Sequence, residues 1–533
     1  MQLFKKNIDL TTSSLNQPKN EDFHFNLIDH YFIMNQENSH ASQTIKDQMI
    51  NDIDFYALFA FLDRTQSKIG QQYLFNKLLT IDKKLDFTEQ ELIIDYFSEN
   101  KVTQRTIQAL LSKLNKRESY YISNLFLDGY IAKPKWFWII RVLSFITLAT
   151  LAFSFLYNKI FILLLFLYIA NTLIHFWNKN NIMVYSDSIP QLPLFCNIAK
   201  KFTSMDILPE AKQSVLSAVN SISKLKYVIK FFKSDSGVKS EIEAFFLLVR
   251  EIVKILFLIE PMVVFYVLKK LEVKKNDIQT IFEYIGKIDS AISIATIRTT
   301  TPHYCIPILL NTNEKMLDFT DIYHPLISDC IPNSLKIQEK SILLTGSNMS
   351  GKTTFIRAVA LNVLLAQTIN TCFAKTFKLS QTRSFSAIRI TDDLFSDKSY
   401  YFEEVLLIKE MINESQSGLN NVFFLDEIFK GTNTIERIAA GKAVLSYLVK
   451  SGQNIVFVST HDIELADLLS NEYDLYHFTE VIKNEQIHFD YKLKEGNLST
   501  KNAIRILEIN NYPKEIVDDA IAISFLLYNK VET

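Results

Sequence analysis

Hydrophobic positions along this chain change texture from one region to the next. Between residues 46 and 130 they recur three and four apart, as in Phe55, Leu58, Phe59 and Leu62, which is the spacing of an amphipathic helix. Residues 185–300 continue in helical register with few turn residues. From about residue 320 short apolar runs appear, at Ser341–Thr345, Val422–Asp426 and Ile455–Thr460, with helical patterns between them. Apolar strands alternating with helices predict a mostly parallel sheet covered on both faces. Residues 1–45 are polar and rich in Asn and Gln, and are expected to form a loose arm.

The middle of the chain has a pattern of its own. From Trp136 to Trp177 the only formal charges are Arg141 and Lys159, with His175 near the end. The break at Asn158-Lys159 leaves apolar runs of about 22 and 18 residues, each near the roughly 20 that cross a bilayer as helix. Trp136, Trp138 and Trp177, all the tryptophans of the chain, stand at the outer ends, where an aromatic belt belongs. Lys133, Lys135 and Lys179 flank the same ends, and basic flanks face the cytoplasm. The pattern predicts an integral membrane hairpin of two spans that enters and leaves on the cytoplasmic side. The alternative is a helical hairpin buried in a large soluble core. A second apolar stretch, Phe245–Leu268, is interrupted by Arg250, Glu251, Lys254, Glu260 and Pro261. Charges are expensive in lipid, so this stretch is expected as a long buried helix without membrane contact.

Composition narrows the picture further. The chain has 533 residues, 48% hydrophobic and 22% charged, with formal net charge −1. That excludes a disordered polyelectrolyte and a uniformly basic nucleic-acid binder. Eleven Gly and eleven Pro are too few for a hairpin-dense architecture. Cys196, Cys305, Cys330 and Cys372 lie far apart with no CxxC pair, which supports neither a zinc ribbon nor a disulfide scaffold. The N-terminus has no apolar core of a secretory signal.

The chemistry lies in the last third. Gly346, Ser347, Asn348, Met349, Ser350, Gly351, Lys352 and Thr353 fit the pattern GxxxxGK[ST], with Thr354 following. The pattern follows a strand and opens a helix, the context in which it forms a phosphate loop. Gly346 and Gly351 admit backbone angles and close approach that a side chain would block. Backbone N–H groups and the helix N-terminus cradle phosphate oxygens. Lys352 brings a positive charge to the β- and γ-phosphates, and the Thr353 hydroxyl suits Mg²⁺. Asp426 and Glu427 end the apolar strand Val422–Asp426, at the edge where α/β sheets place their ligands. Asp426 is the candidate Mg²⁺ holder, and Glu427 the candidate general base for an attacking water. His461 directly follows the strand at 455–460 and is a candidate sensor of the γ-phosphate.

These segments together resemble the MutS family of DNA mismatch repair ATPases. GSNMSGKTT is similar to that family's phosphate loop, and FLDEIFKGTNT to its acidic strand with the adjoining loop at Gly431, Thr432 and Thr434. Thr391-Asp392-Asp393-Leu394, followed by Ser399 and Glu404, resembles the segment carrying its signature serine. Ser459-Thr460-His461, Tyr491–Gly496 and Pro513-Lys514-Glu515 resemble later family segments. Upstream, Leu62–Thr65 with Gly70 and Leu78 is similar to the start of its helical lever. Tyr304-Cys305, Pro307 and His324-Pro325 are similar to the lever's junction with the ATPase. The resemblance covers residues 46–130 and 185–525.

The resemblance implies a mixed fold. An all-helical lever or core region carries an inserted transmembrane helical hairpin and is followed by an α/β ABC-type P-loop NTPase domain. Boundaries are expected at 1–45 for the arm, 46–130 and 185–318 for the two lever parts, 133–180 for the hairpin, and 319–533 for the ATPase. The resemblance also implies ATP hydrolysis with Mg²⁺ and a homodimer formed through the ATPase domain, in which Ser399 completes the partner's site. DNA is the implied ligand, and lipid the partner of residues 136–177. Only about 45 residues precede the core region, so the family's mismatch-reading and connector domains are not expected. Lys224, Lys226, Lys230, Lys233 and Lys239, interleaved with Tyr227, Phe231 and Phe232, form a basic stretch. It suits a solvated helix face, DNA phosphates or anionic lipid equally. The competing functional readings are an ATP-driven membrane transport subunit and an ATP-gated membrane scaffold with no DNA role.

Overall fold

The structure is a computed structural model. It describes residues 18–19, 21–36, 41–127, 136–157, 159–225, 241–312, 314–337, 339–347, 349–389, 400–450, 452–483, 486–498, 503–510 and 512–531. The chain forms two compact units, one from residues 1–39, 62–77 and 87–300, the other from 40–61, 78–86 and 301–533.

The first unit is helical. Its principal helices are α1 (Phe137–Ser154), α2 (Ile160–Ser188), α3 (Glu241–Leu256), α4 (Ile259–Glu272) and α5 (Lys275–Thr300). α5 is the spine, buried at nearly every position from Tyr284 to Arg298. Arg298 grips Glu91 on the helix Thr88–Glu99 through two bonds of 2.6 and 2.8 Å, a bidentate geometry that fixes orientation as well as distance. Asp289, fully buried on α5, accepts the backbone N–H groups of Gln66 and Ser67 at 2.8 Å each and the Ser67 hydroxyl at 2.6 Å. It thereby caps the helix that starts at Lys68 from another part of the chain.

Part of the segment expected as a loose arm is ordered. Phe25–Ile28 and His30–Asn35 are short helices, and Ile28, Tyr31 and Phe32 are buried. Tyr31 packs on Phe282 of α5 at 4.8 Å between ring centroids. Three apolar side chains outweigh the polar composition around them.

α1 and α2 pack against each other as a helical hairpin. The rings of Trp136 and Trp177 meet at 4.9 Å. In the windows Phe137–Ser154 and Ile160–Trp177 only 22% and 17% of positions are buried. The stretch Phe245–Leu268 is not one buried helix. It breaks at Leu258, which takes a left-handed conformation (φ 47°), into α3 and α4. α4 buries Val264, Val267, Leu268 and Leu271, whereas α3 leaves Phe245, Phe246 and Leu248 exposed.

The second unit is the α/β part. Its main sheet contains β1 (Ser341–Gly346), β2 (Arg383–Ala387), β3 (Asn421–Asp426), β4 (Asn454–Ser459), β5 (Tyr473–Phe478) and β6 (Lys494–Glu495). The order is β6-β5-β1-β4-β3-β2. All neighbours run parallel except β6, which is antiparallel to β5. The three strands expected from their apolar runs, β1, β3 and β4, form the middle of this sheet and are buried. Helices α6 (Lys352–Ile369), α7 (Tyr400–Ser415) and α8 (Thr434–Lys450) connect them. A second, four-stranded sheet joins Ile308–Leu310, Thr376–Ser380, Leu317–Ile322 and Asn333–Ile337.

Residues 40–61 and 78–86 belong to this unit. Ala41–Thr44 pairs with Thr80–Asp82. The Gln43 side-chain amide bonds both backbone groups of Ser384, at 2.7 and 2.8 Å. Edge strand β2 therefore does not present open backbone at that point. Helical periodicity in 46–130 reveals a buried face but not its partner, so this grouping is not visible in the pattern.

Burial raises the Asp289 carboxyl from 3.8 to about 6, against hydrogen bonds from Ser67 and Gln66 that favour the ion. A raised pKa contributes stability that is fully present below 3.8 and is lost as pH rises through about 6. Wild type is therefore predicted to lose about 3 kcal/mol relative to Asp289→Asn between about pH 4 and pH 7. Denaturant midpoints of the two proteins, measured in detergent across that range, check this. Parallel pH curves would refute it.

Candidate nucleotide site

The phosphate loop joins β1 to α6. Gly346 closes β1 with φ 150°, and a Cβ there would lie 2.6 Å from the Phe478 carbonyl oxygen. Gly351 stands at the N-cap of α6 with φ 104°, and Tyr491 lies over it. Met349 is left-handed (φ 69°) and exposed. Ser350 donates to the Ser347 carbonyl at 2.8 Å and holds the loop closed. Lys352 is buried, and its ammonium donates to the carbonyls of Gly346 and Ser347 at 2.7 and 2.9 Å. Burial pulls its pKa down to about 8, against the attraction of Glu427 and Asp426. Asn348 lies outside the described residues.

Asp426 ends β3 and meets the loop directly. The Thr353 hydroxyl donates to Asp426 Oδ2 at 2.6 Å, and the Ser459 hydroxyl donates to Oδ1. Ser459 is the last residue of β4, the strand between β1 and β3. A hydroxyl and a carboxylate facing each other form an all-oxygen donor set, which suits Mg²⁺ shared with substrate phosphates. The residues present therefore fit the metal that the phosphate loop implies.

Glu427 occupies a left-handed position (φ 52°), its N–H bonded to the Ser459 carbonyl at 2.9 Å. That backbone turn directs its side chain toward His461, whose Nε2 lies 2.6 Å from Oε1, and Lys430, 2.7 Å from Oε2. Burial alone would raise the Glu427 pKa. The His461 and Lys430 hydrogen bonds outweigh it and hold the carboxyl at about 2. The loop after Glu427 is fixed from α7: the Phe429 N–H donates to Glu404, a buried residue whose pKa burial raises.

Thus the structure brings together Gly346, Ser347, Ser350, Gly351, Lys352, Thr353, Asp426, Glu427 and His461. Met349 and Thr354 line the adjoining cleft, which has a volume of about 510 Å³ and is of the size that holds a small ligand. Its far wall comes from Tyr323, Ile327, Ile331, Phe478 and Tyr491, an apolar and aromatic surface suited to a nucleobase. Ser399, with Thr391–Leu394, lies outside the described residues.

Sequence reasoning missed three parts of this site. Ser459 was read only as the start of a motif, although a hydroxyl ending a central strand has a position that signals function. Glu480 accepts from the Ser347 hydroxyl at 2.6 Å; it follows β5, the other neighbour of β1, and the same strand-end rule would have found it. The third part is Asp52 and Asp54. Asp52 accepts the N–H groups of Ile388 and Arg389 at 3.0 and 2.7 Å. Asp54 accepts Arg357 of α6 at 3.1 Å and Arg389 at 2.6 Å. One short N-terminal segment thus ties the phosphate-loop helix to the end of β2. No local pattern announces a contact across that sequence distance.

A phosphate loop on β1, acids ending β3 and a polar end to β4, on one parallel sheet, define a P-loop nucleotide-binding domain. Residues 342–527 match the family model MutS domain V. The chain is 30% identical over 265 residues to the DNA mismatch repair protein MutS of Thermodesulfovibrio yellowstonii, covering 46% of this chain and 30% of that one. It is 26% identical over 261 residues to MutS of Carboxydothermus hydrogenoformans (47% and 30%). It is 30% identical over 259 residues to MutS of Lysinibacillus sphaericus (45% and 29%). The chain thus spans under a third of the length of these relatives.

Gly346→Ala is predicted to weaken binding of a fluorescent ATP analogue by about tenfold or more, because its Cβ would strike the Phe478 carbonyl. Equilibrium titration checks this, and unchanged affinity would refute it. Asp54→Asn should leave that affinity within about twofold and lower ATP turnover severalfold, by loosening Arg357 and Arg389. Equal loss of affinity and turnover would show a purely structural role.

Proposed function

We propose that the chain is a membrane-anchored MutS-type ATPase that converts ATP and water to ADP and phosphate. It works as a homodimer whose helical levers grip DNA. The observation that carries the catalytic part is Asp426 joined to Thr353 and Ser459, beside Glu427 with His461 and Lys430.

The proposed roles follow from the donors and acceptors present. Lys352 and the loop N–H groups bind the β- and γ-phosphates. Thr353 and Asp426 hold Mg²⁺, which when bound neutralises charge on the phosphate oxygens. Glu427 is an ionised acceptor and takes a hydrogen bond from the attacking water. His461 and Lys430 compete for the same carboxylate, so it must shed at least one of them before it can receive the water's proton. The γ-phosphate is the natural alternative partner for both side chains, which would make His461 its sensor. The proton released on hydrolysis leaves by Glu427, and Ser399 of the opposing subunit completes the site.

The membrane reading rests on α1 and α2. Each has an apolar window long enough to span, most of its surface is uncovered, and the tryptophans gather at one end. The hairpin's two flanks and the ATPase domain are proposed to lie on the cytoplasmic side. DNA as the ligand rests on the relatives' printed role in mismatch repair.

Glu427→Gln is predicted to cut ATP turnover by about 10²–10³-fold while nucleotide still binds; turnover at the wild-type rate would overturn the assignment. Turnover of the nanodisc-held chain should respond to duplex, mismatched or branched DNA, most strongly at low salt. Indifference to all three across a salt series would remove DNA from the reading. After alkaline carbonate extraction the chain should stay in the membrane pellet, and its full release would discard the anchor.

A further inference from the structure

Helix α3 has no place in the catalytic account, yet its surface is unusual. Ile242, Phe245, Phe246 and Leu248 are 70%, 63%, 66% and 59% exposed, and Val249, Ile252 and Val253 are exposed as well. At 100° per residue these seven fall on one broad arc of the helix. Arg250, Glu251 and Lys254 fall on the other, where Lys254 bonds Glu251 at 2.7 Å. The helix has 16 residues, about 24 Å at 1.5 Å per residue. That is too short to cross the roughly 30 Å hydrocarbon layer, and its charges disfavour a central position.

The end of α3 is fastened to the hairpin. Where the helix breaks, at Leu258, carbonyls at its C-terminus lose their helical partners. The Leu256 carbonyl instead accepts the side-chain amide of Asn171 on α2 at 2.7 Å, and the same amide reaches the Thr147 hydroxyl of α1 at 3.2 Å. Phe137, Ile140, Leu258 and Phe265 pack as one cluster around the break. In lipid a helix end needs an internal partner of this kind. Asn171 stands six residues inside Trp177, about 9 Å along the helix axis. Interfacial amphipathic helices bury their apolar face to a depth of about 5–10 Å.

We propose that α3 is a third membrane-contacting element, lying in the interface beside the hairpin. Its apolar arc meets acyl chains, and Arg250, Glu251 and Lys254 face the headgroups. The proposal rests on the reading of α1 and α2 as membrane spans. Bilayer lipid is the occupant because α3, with its apolar arc exposed, packs against α2 and is locked to it at this depth.

The test uses the full chain with Cys305 and Cys330 changed to Ala, carrying an environment-sensitive fluorophore at one new cysteine. Three sites are compared: Phe245→Cys on α3, Phe166→Cys near the middle of the apolar window of α2, and Leu92→Cys, exposed on the helix Thr88–Glu99. The protein is reconstituted in phosphatidylcholine–phosphatidylglycerol vesicles containing lipids with a spin label near the headgroup or deep in the acyl chain. Position 245 should be quenched about twofold or more better by the shallow label, 166 by the deep label, and 92 by neither. Quenching at 166 with none at 245 would overturn the α3 proposal, leave the hairpin standing, and mark the apolar arc as a protein contact. Quenching at 245 chiefly by the deep label would overturn the interfacial placement. No quenching at 166 would overturn the hairpin itself.

Discussion

One carboxylate organises the α/β unit. Asp426 receives the hydroxyl of Thr353 on one oxygen and that of Ser459 on the other. Those two residues belong to the first turn of α6 and the end of β4, and Asp426 itself ends β3. The phosphate loop is therefore fixed relative to the sheet by side chains that would also hold a metal. Lys352 and Ser350 then close the loop on its own carbonyls. Next to this junction, the left-handed turn at Glu427 aims the following carboxylate at His461 and Lys430.

Around that junction, charge is arranged in layers. Closest in, buried Lys352 faces Asp426 and Glu427. One step out, Glu404 holds the Phe429 N–H and Glu480 holds the Ser347 hydroxyl. Beyond these, Asp54 bridges Arg357 and Arg389. The inner contacts restrain one another, because a buried charge-assisted bond loses much energy when either partner moves away, whereas the exposed Asp54–Arg389 pair contributes less. The segment from 47 to 54 thus acts on the site without touching nucleotide.

Much of the site was legible because its chemistry is local in sequence. GSNMSGKTT places two glycines, a lysine and two threonines at spacings that only a loop between a strand and a helix can use. The apolar run before Asp426 predicted a buried strand, and β3 is one. What was not legible depends on distance or on the identity of a partner. Asp52 meets the Ile388 N–H across 336 residues, and nothing near Asp52 announces it. The charges at Arg250, Glu251 and Lys254 argued for a long helix in a protein core. The left-handed residue Leu258 instead splits the stretch, and the two halves have opposite environments. Apolar periodicity measures how much surface a helix hides, not what hides it.

The composition of the α/β unit from both sides of the hairpin sets a parity rule. Ala41–Thr44 and Asp47–Asp52 precede α1 by about 90 residues, yet Gln43 and Asp52 bond the backbone of residues that follow α2. Two pieces of one folded unit must share one aqueous compartment, so the intervening chain can cross a bilayer only an even number of times. The rule acts during synthesis as well. Gln43 and Asp52 emerge long before β2 is made, and such long-range contacts form late. The segment must therefore wait on the side where the rest of the unit will appear. Two is the smallest number of crossings that would anchor the chain and obey the rule, and a helix too short to cross leaves the count unchanged.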